Sequence, residues 1–187
     1  MRVALVHHSY GTPYGGAAEP HVRELARALR AAGHEPRVIG SRPGPTRRSD
    51  EDGIEVVHLG RLPEGPLRSR GFDGPVTHLP ALVRELARGG YDAVHAFSPQ
   101  DAAAAARAAA GRATPPLVFT PVEPPRREAL AERRLRLRFW EAAIAPPTTL
   151  VVPGDDPRAA VWRWLAVEAS VVAPDDADGH VKIYCGG

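Results

Sequence analysis

Residues 1–34 constrain the fold more than any other part of the chain. Arg2-Val3-Ala4-Leu5-Val6-His7 is an apolar run of strand length, Tyr14-Gly15-Gly16-Ala17-Ala18-Glu19 is a glycine-bearing loop, and an amphipathic stretch closes in Ala32-Gly33-His34. Within that stretch Val22, Leu25, Ala26, Leu29 and Ala32 share one helical face. A buried strand that turns through glycines into a helix points backbone N–H groups and the positive end of the helix dipole at one spot. That spot suits a phosphate or a polar hydroxylated molecule. The glycine spacing is not Gly-x-Gly-x-x-Gly, so a dinucleotide fingerprint is absent.

The rest of the chain repeats the alternation of short apolar runs with helical periodicity, the pattern of a parallel α/β sheet. Strands are expected near 2–7, 36–40, 54–59, 92–96, 116–120, 149–152 and 169–172. Leu79, Leu82, Val83 and Leu86 form a second helical face, and residues 101–110 are nearly all alanine, which lets a helix approach the sheet closely. Arg126 to Glu141 interleaves arginines with Leu135, Leu137, Phe139 and Trp140; a solvated helix resting Leu130, Leu137, Trp140 and Ile144 on the sheet is expected there. Ser41 to Gly53 and Leu62 to Gly74, rich in glycine, proline and charge, read as long loops. The expected architecture is one doubly wound, Rossmann-like α/β domain over residues 1–173, with a mostly parallel sheet of six or seven strands and a C-terminal tail, 174–187.

Length and charge exclude several functions. The 187 residues suffice for one real core without disulfides. Cys185 is the single cysteine, so there is neither an intrachain disulfide nor a cysteine metal cluster, and no metal or cofactor is expected. With 24 basic against 22 acidic side chains, no nucleic-acid-binding field is implied. The apolar start is too short for a signal-peptide core and no run approaches membrane-spanning length, so a soluble cytoplasmic protein is expected.

Several segments, in collinear order, resemble family-four retaining glycosyltransferases of the two-domain GT-B fold, specifically their N-terminal, acceptor-side domain. Gly15-Gly16-Ala17-Ala18-Glu19-Pro20-His21-Val22 resembles the family's Gly-Gly-x-x-x-His loop, and Leu25-Ala26-Arg27-Ala28-Leu29 through Gly33-His34-Glu35-Pro36-Arg37-Val38 the segment after it. Tyr91-Asp92-Ala93-Val94-His95-Ala96-Phe97-Ser98-Pro99 is similar to the family's Asp-Val-Val-His-x-His-x-Pro strand end. Leu117-Val118-Phe119-Thr120, Leu150-Val151-Val152 and Trp164-Leu165-Ala166-Val167 continue the match. The resemblance implies a nucleotide-sugar donor as substrate, held largely by a second domain that these residues do not include.

The candidate ligand-binding residues are Gly15, Gly16, Ala17, His21, His95, Ser98 and Thr120, at or near the carboxyl ends of strands where an open α/β sheet has its crevice; His8 belongs to the same edge. Each has a plainer reading. The glycines can serve a tight turn, His21 can be a surface residue of the first helical turn, and Ser98 can be no more than a helix N-cap. Where the family has a second histidine this chain has Phe97, and where many members read Thr-x-His it has Thr120-Pro121-Val122-Glu123. Val122 cannot donate a hydrogen bond, which leaves Glu123 as the candidate catalytic side chain, against an exposed loop glutamate as the commoner explanation.

Three function classes follow: the acceptor-binding half of a glycosyltransferase, a degenerate non-catalytic domain that binds a sugar, nucleotide or protein, or a nucleotide-binding protein sharing only the fold. The partners expected are a donor-domain protein or a second copy of the chain, and a small-molecule or lipid-linked acceptor.

Overall fold

Val3 and Leu5 alternate with Ala4 and Val6 along the first strand, and all four are buried, so this strand has a covered face on each side. A computed structural model describes residues 1–13, 16, 18–63, 76–109, 115–121, 134–145, 149–153, 169–172 and 177–184. The strands are β1 (Arg2–Val6), β2 (Glu35–Pro43), β3 (Arg47–Glu51), β4 (Ile54–Arg61), β5 (Ala93–Ala96), β6 (Leu117–Phe119), β7 (Thr149–Pro153) and β8 (Ala169–Val172). Among the described residues the helices are α1 (Ala18–Ala31), α2 (Leu79–Arg88), α3 (Pro99–Ala109), α4 (Arg134–Ile144) and α5 (Ala177–Tyr184).

The sheet runs β3-β4-β2-β1-β5-β6-β7-β8, parallel throughout except for β3. One face packs Val3, Leu5, Val38 and Val56 against Val22, Leu25, Ala26 and Leu29 of α1 and Tyr184 of α5. The other packs Ala4, Val6, Ile39 and Val57 against Leu82 and Leu86 of α2 and Ala104 and Ala105 of α3. This is the doubly wound α/β arrangement expected. Ala32 lies past the end of α1 and is exposed, because Gly33, at φ +82, has already turned the chain out of the helix.

Two expectations need correction. Ser41 to Gly53 is not a loop: β2 continues to Pro43, and β3 pairs antiparallel with β4 as an eighth strand. Arg47-Arg48-Ser49-Asp50-Glu51 has no apolar alternation because it is an edge strand, where charge guards against pairing with other chains. Its turn was the readable signal, since Asp52 and Gly53 take φ of 55° and 76°, a two-residue Asp-Gly hairpin. A Cβ on Gly53 would also run into the Arg30 guanidinium, which donates to the Asp52 carbonyl at 2.8 Å. Gly53→Val is therefore expected to cost about 1–2 kcal/mol in urea unfolding, by the left-handed backbone alone; an unchanged midpoint would contradict the hairpin.

The second correction concerns α4. Trp140 covers Phe119 at a ring distance of 5.4 Å and Ala143 is buried beside Ala102, with Ile144 packed at the margin. Leu137 is exposed, as is Leu135; among the described residues α4 meets the core through Trp140, Ala143 and Ile144. Leu130 and most of Leu62 to Gly74 lie outside the described residues. Within 174–187, α5 docks on the face of α1 and buries Tyr184 completely.

Candidate functional site

The chain leaves β1 to one side of the sheet (β2, β4) and returns through β5 to the other (β6, β7, β8), so the direction of winding reverses between β1 and β5. Ligands of open α/β sheets bind outside the carboxyl ends of the strands at such a reversal. The residues that follow β1 and β5 here are His7-His8 and Phe97-Ser98. Ser98-Pro99-Gln100-Asp101 then opens α3 as a capping motif, with the Asp101 N–H donating to Ser98 Oγ at 3.2 Å.

Asp101 is the centre of this edge and is fully buried. Its Oδ2 accepts from the His8 backbone N–H at 2.9 Å, from His8 Nδ1 at 3.0 Å and from the Ser98 hydroxyl at 2.7 Å. Its Oδ1 accepts from His78 Nε2 at 2.8 Å. Burial alone would push the carboxyl up, but the charge available at His8 and the hydrogen bonds from His78 and His8 outweigh it and hold the group well below the usual carboxylate range. His78 stands at the N-cap of α2 yet does not cap it, because its side chain is committed to Asp101; its Nδ1 is buried and has no hydrogen-bond partner among the described residues.

A second polar group lies one layer deeper. His95, on β5, is fully buried, with Nδ1 at 2.9 Å from the Tyr184 hydroxyl and Nε2 at 2.7 Å from Thr120 Oγ1. Its ring stacks on Phe97 at 4.4 Å, and Phe97 meets the edge of His21 at 5.7 Å. Burial first, then the neighbouring His180 and His21, drive His95 well below its ordinary pKa; burial and then His180 lower His21 to about 4. Both imidazoles are neutral, and both nitrogens of His95 are occupied, so His95 positions Thr120 and α5 and has no lone pair to offer a ligand.

His95 and Thr120 are thus brought together, with His21 reaching them through Phe97. Ser98 is the N-cap of α3 and also touches His8 Nδ1 at 3.1 Å. Gly16 precedes α1 at φ +58 and lines a groove with Glu19, Pro20, Arg23 and Arg27, on the outer side of α1. Gly15, Ala17 and Glu123 lie outside the described residues. Sequence reasoning missed His78 and Asp101; the Ser-x-x-Asp spacing marked Asp101, while nothing local marks His78.

His7, His8 and Asp101 could each turn one ligand atom to a common point, all within 4.8 Å of one another. Four donors already occupy the Asp101 oxygens, however, so the group reads first as a hydrogen-bonded relay. A separate cavity of about 180 Å³, lined by Leu86, Tyr91, Val94, Ala105 and Leu117, opens at the amino ends of β5 and β6. Its walls are mainly aliphatic and it lies at the opposite end of the sheet from the histidines. No described helix is long and apolar enough to cross a membrane.

Solved structures share this fold. Sucrose-phosphate synthase from Thermosynechococcus elongatus superposes on 92% of this chain with a TM-score of 0.68 at 17% identity. WaaG, a glycosyltransferase involved in lipopolysaccharide biosynthesis, superposes on 91% with a TM-score of 0.61 at 14% identity. The chain spans 48% of the synthase and 44% of WaaG, about half of each. A shorter chain of the synthase is covered to 98%, with a TM-score of 0.66 at 16% identity. No curated protein is similar enough in sequence to be matched. The model of the glycosyl transferase 4-like domain matches residues 16–174, most of the chain. With the α/β fold of the GT-B glycosyltransferases and a family match over that length, the chain belongs to the glycosyl transferase 4-like domain family.

Proposed function

We propose that this domain is the acceptor side of a glycosyltransferase that moves a sugar from a nucleotide-sugar donor to an acceptor hydroxyl. The observation that carries the reading is the polar edge of His8, Ser98 and Asp101 at the β1/β5 reversal, on a domain of this family. Its part is to hold the acceptor and keep water from the reacting carbon. The donor nucleotide is assigned to a second domain, in the same polypeptide or a partner, since the matched enzymes are about twice as long.

The 187-residue chain alone is accordingly expected to bind carbohydrate at this edge and to give no detectable glycosyl transfer. Incubation with labelled UDP-, GDP- and dTDP-sugars and a panel of glycosides, read by mass spectrometry, checks it. Turnover by chain free of contaminating enzyme would overturn the division of labour.

A second reading, a non-catalytic binding domain, draws on Val122, where many family members have a histidine. Supplying a donor domain separates the two: restored transfer supports the first reading, and carbohydrate binding without transfer supports the second.

A further inference from the structure

β3 ends the sheet on one side, and among the described residues no strand pairs with its outer edge. Arg47, Arg48, Ser49 and Asp50 are exposed, and Glu51 is half-buried. The Asp52-Gly53 turn closes on Glu51 and Ile54, and a two-residue turn makes that closing pair a hydrogen-bonded one. Hydrogen-bonded and open pairs alternate along an antiparallel ladder, so Ser49 and Arg47 also turn their backbone groups toward β4. The N–H and C=O groups of Arg48 and Asp50 therefore point away from the sheet, as the template for one more strand.

Charge on an edge deters strands of unmatched charge, but the order Arg47-Arg48-Ser49-Asp50-Glu51 is complementary to its own reverse. We propose that β3 pairs antiparallel with β3 of a second copy of this chain, about a two-fold axis at Ser49. In that register Arg47 stands opposite the partner's Glu51 and Arg48 opposite the partner's Asp50, and the symmetry repeats each pair. Arg48 and the partner's Asp50 exchange N–H···O bonds through the backbone groups that β4 leaves open. Ser49 meets the partner's Ser49 in an open pair, where side chains come closest and a small one fits. Parallel pairing in register would set arginine on arginine and glutamate on glutamate, so the charge order selects the antiparallel arrangement. Arg47 is the cation best placed to reach across. Among the described residues its side chain makes no hydrogen bond or ion pair, whereas Arg48 donates to Glu55 at 2.7 Å and to Glu85 at 3.1 Å. β4 and β2 stand between β3 and β1, so the pairing leaves the β1/β5 edge open and is independent of the acceptor-side reading.

Sedimentation equilibrium on the 187-residue chain at low salt, from about 10 μM to about 1 mM, tests the proposal. One short strand pairing buries less than a stable interface needs, so a reversible dimer is expected. The mass should rise with concentration toward twice that of the chain and fall back in about 1 M NaCl, where the Debye length is about 3 Å. Amide hydrogen exchange at Arg48 and Asp50 should slow over the same range. Arg47→Glu, which alters an exposed side chain without partners in the domain, is expected to weaken association about tenfold or more by facing Glu51 with a like charge. Glu51→Lys should weaken it likewise, and an equimolar mixture of the two variants should associate again, because each supplies the charge that the other lacks. Both are checked for folding by circular dichroism; if Glu51→Lys does not fold, Arg47→Glu and the exchange of Arg48 and Asp50 decide the matter alone. A mass that stays monomeric throughout would overturn the proposal. So would association that Arg47→Glu leaves unchanged, unslowed exchange at Arg48 and Asp50, or a mixture of folded variants that fails to associate.

Discussion

Asp101→Ala is expected to destabilise the domain by about 3–5 kcal/mol, the cost of removing one partner from a buried ionic and hydrogen-bonded group. The carboxylate is fully buried, and its loss strands the His8 backbone N–H, His78 Nε2 and the Ser98 hydroxyl together. His78 and Ser98 are buried, and each buried donor left unsatisfied carries its own desolvation cost. The change is comparable with the whole stability of a small domain, about 5–15 kcal/mol, so the variant should be partly unfolded at room temperature. Asp101→Asn keeps the shape but turns an N–H₂ toward one of the donors, and should fall between wild type and alanine. Urea unfolding followed by circular dichroism reads the difference. A loss below about 1 kcal/mol in the alanine variant would mean that the relay is not formed.

Mild acid should be the second large lever. His21 and His95 are held neutral by burial, with folded pKa values below those of the unfolded chain. A group depressed in the fold contributes stability that is fully present above its unfolded pKa, about 6.5 for histidine, and is lost as pH falls toward its folded pKa. For His21 the window runs from 6.5 down to about 4. Its full loss amounts to about 3 kcal/mol, and His95 adds to it in the same direction. Asp101 does not contribute in this window, because its own depressed carboxyl gives up stability only below the ordinary aspartate range, about pH 3.9. The unfolding midpoint should therefore fall between pH 7 and pH 4.5, with α5 affected through Tyr184. His21→Leu should flatten the profile, since a leucine meets Phe97 without a charge to acquire. A midpoint unchanged between those pH values would contradict the neutral assignment.

The sheet was largely legible because parallel strands buried on two faces leave unbroken apolar runs, as Val3 to Val6 does. β3 was not, since an edge strand of Arg47, Arg48, Asp50 and Glu51 owes its place to the ladder with β4 and to ion pairs such as Arg48–Glu55, at 2.7 Å, which have no local signature. The site divides in the same way. Ser98 was visible as a cap, and His95 as the end of a strand. What could not be read was that His95 would spend both nitrogens on Thr120 and Tyr184, a contact across 89 positions of sequence for the latter. Asp101 was marked by its spacing from Ser98 alone, and its partners His8 and His78 come from two other parts of the chain, joined only by the fold.

Photoaffinity mapping tests the central claim, that the acceptor edge lies where β1 and β5 diverge, most directly. A monosaccharide carrying a diazirine is irradiated with the chain, and the labelled peptides are identified by mass spectrometry with free sugar as competitor. The account predicts competable labelling within residues 8–13 and 97–101, reduced in His8→Ala. Labelling concentrated at Leu86, Tyr91, Ala105 and Leu117, around the cavity at the opposite end of the sheet, would contradict it.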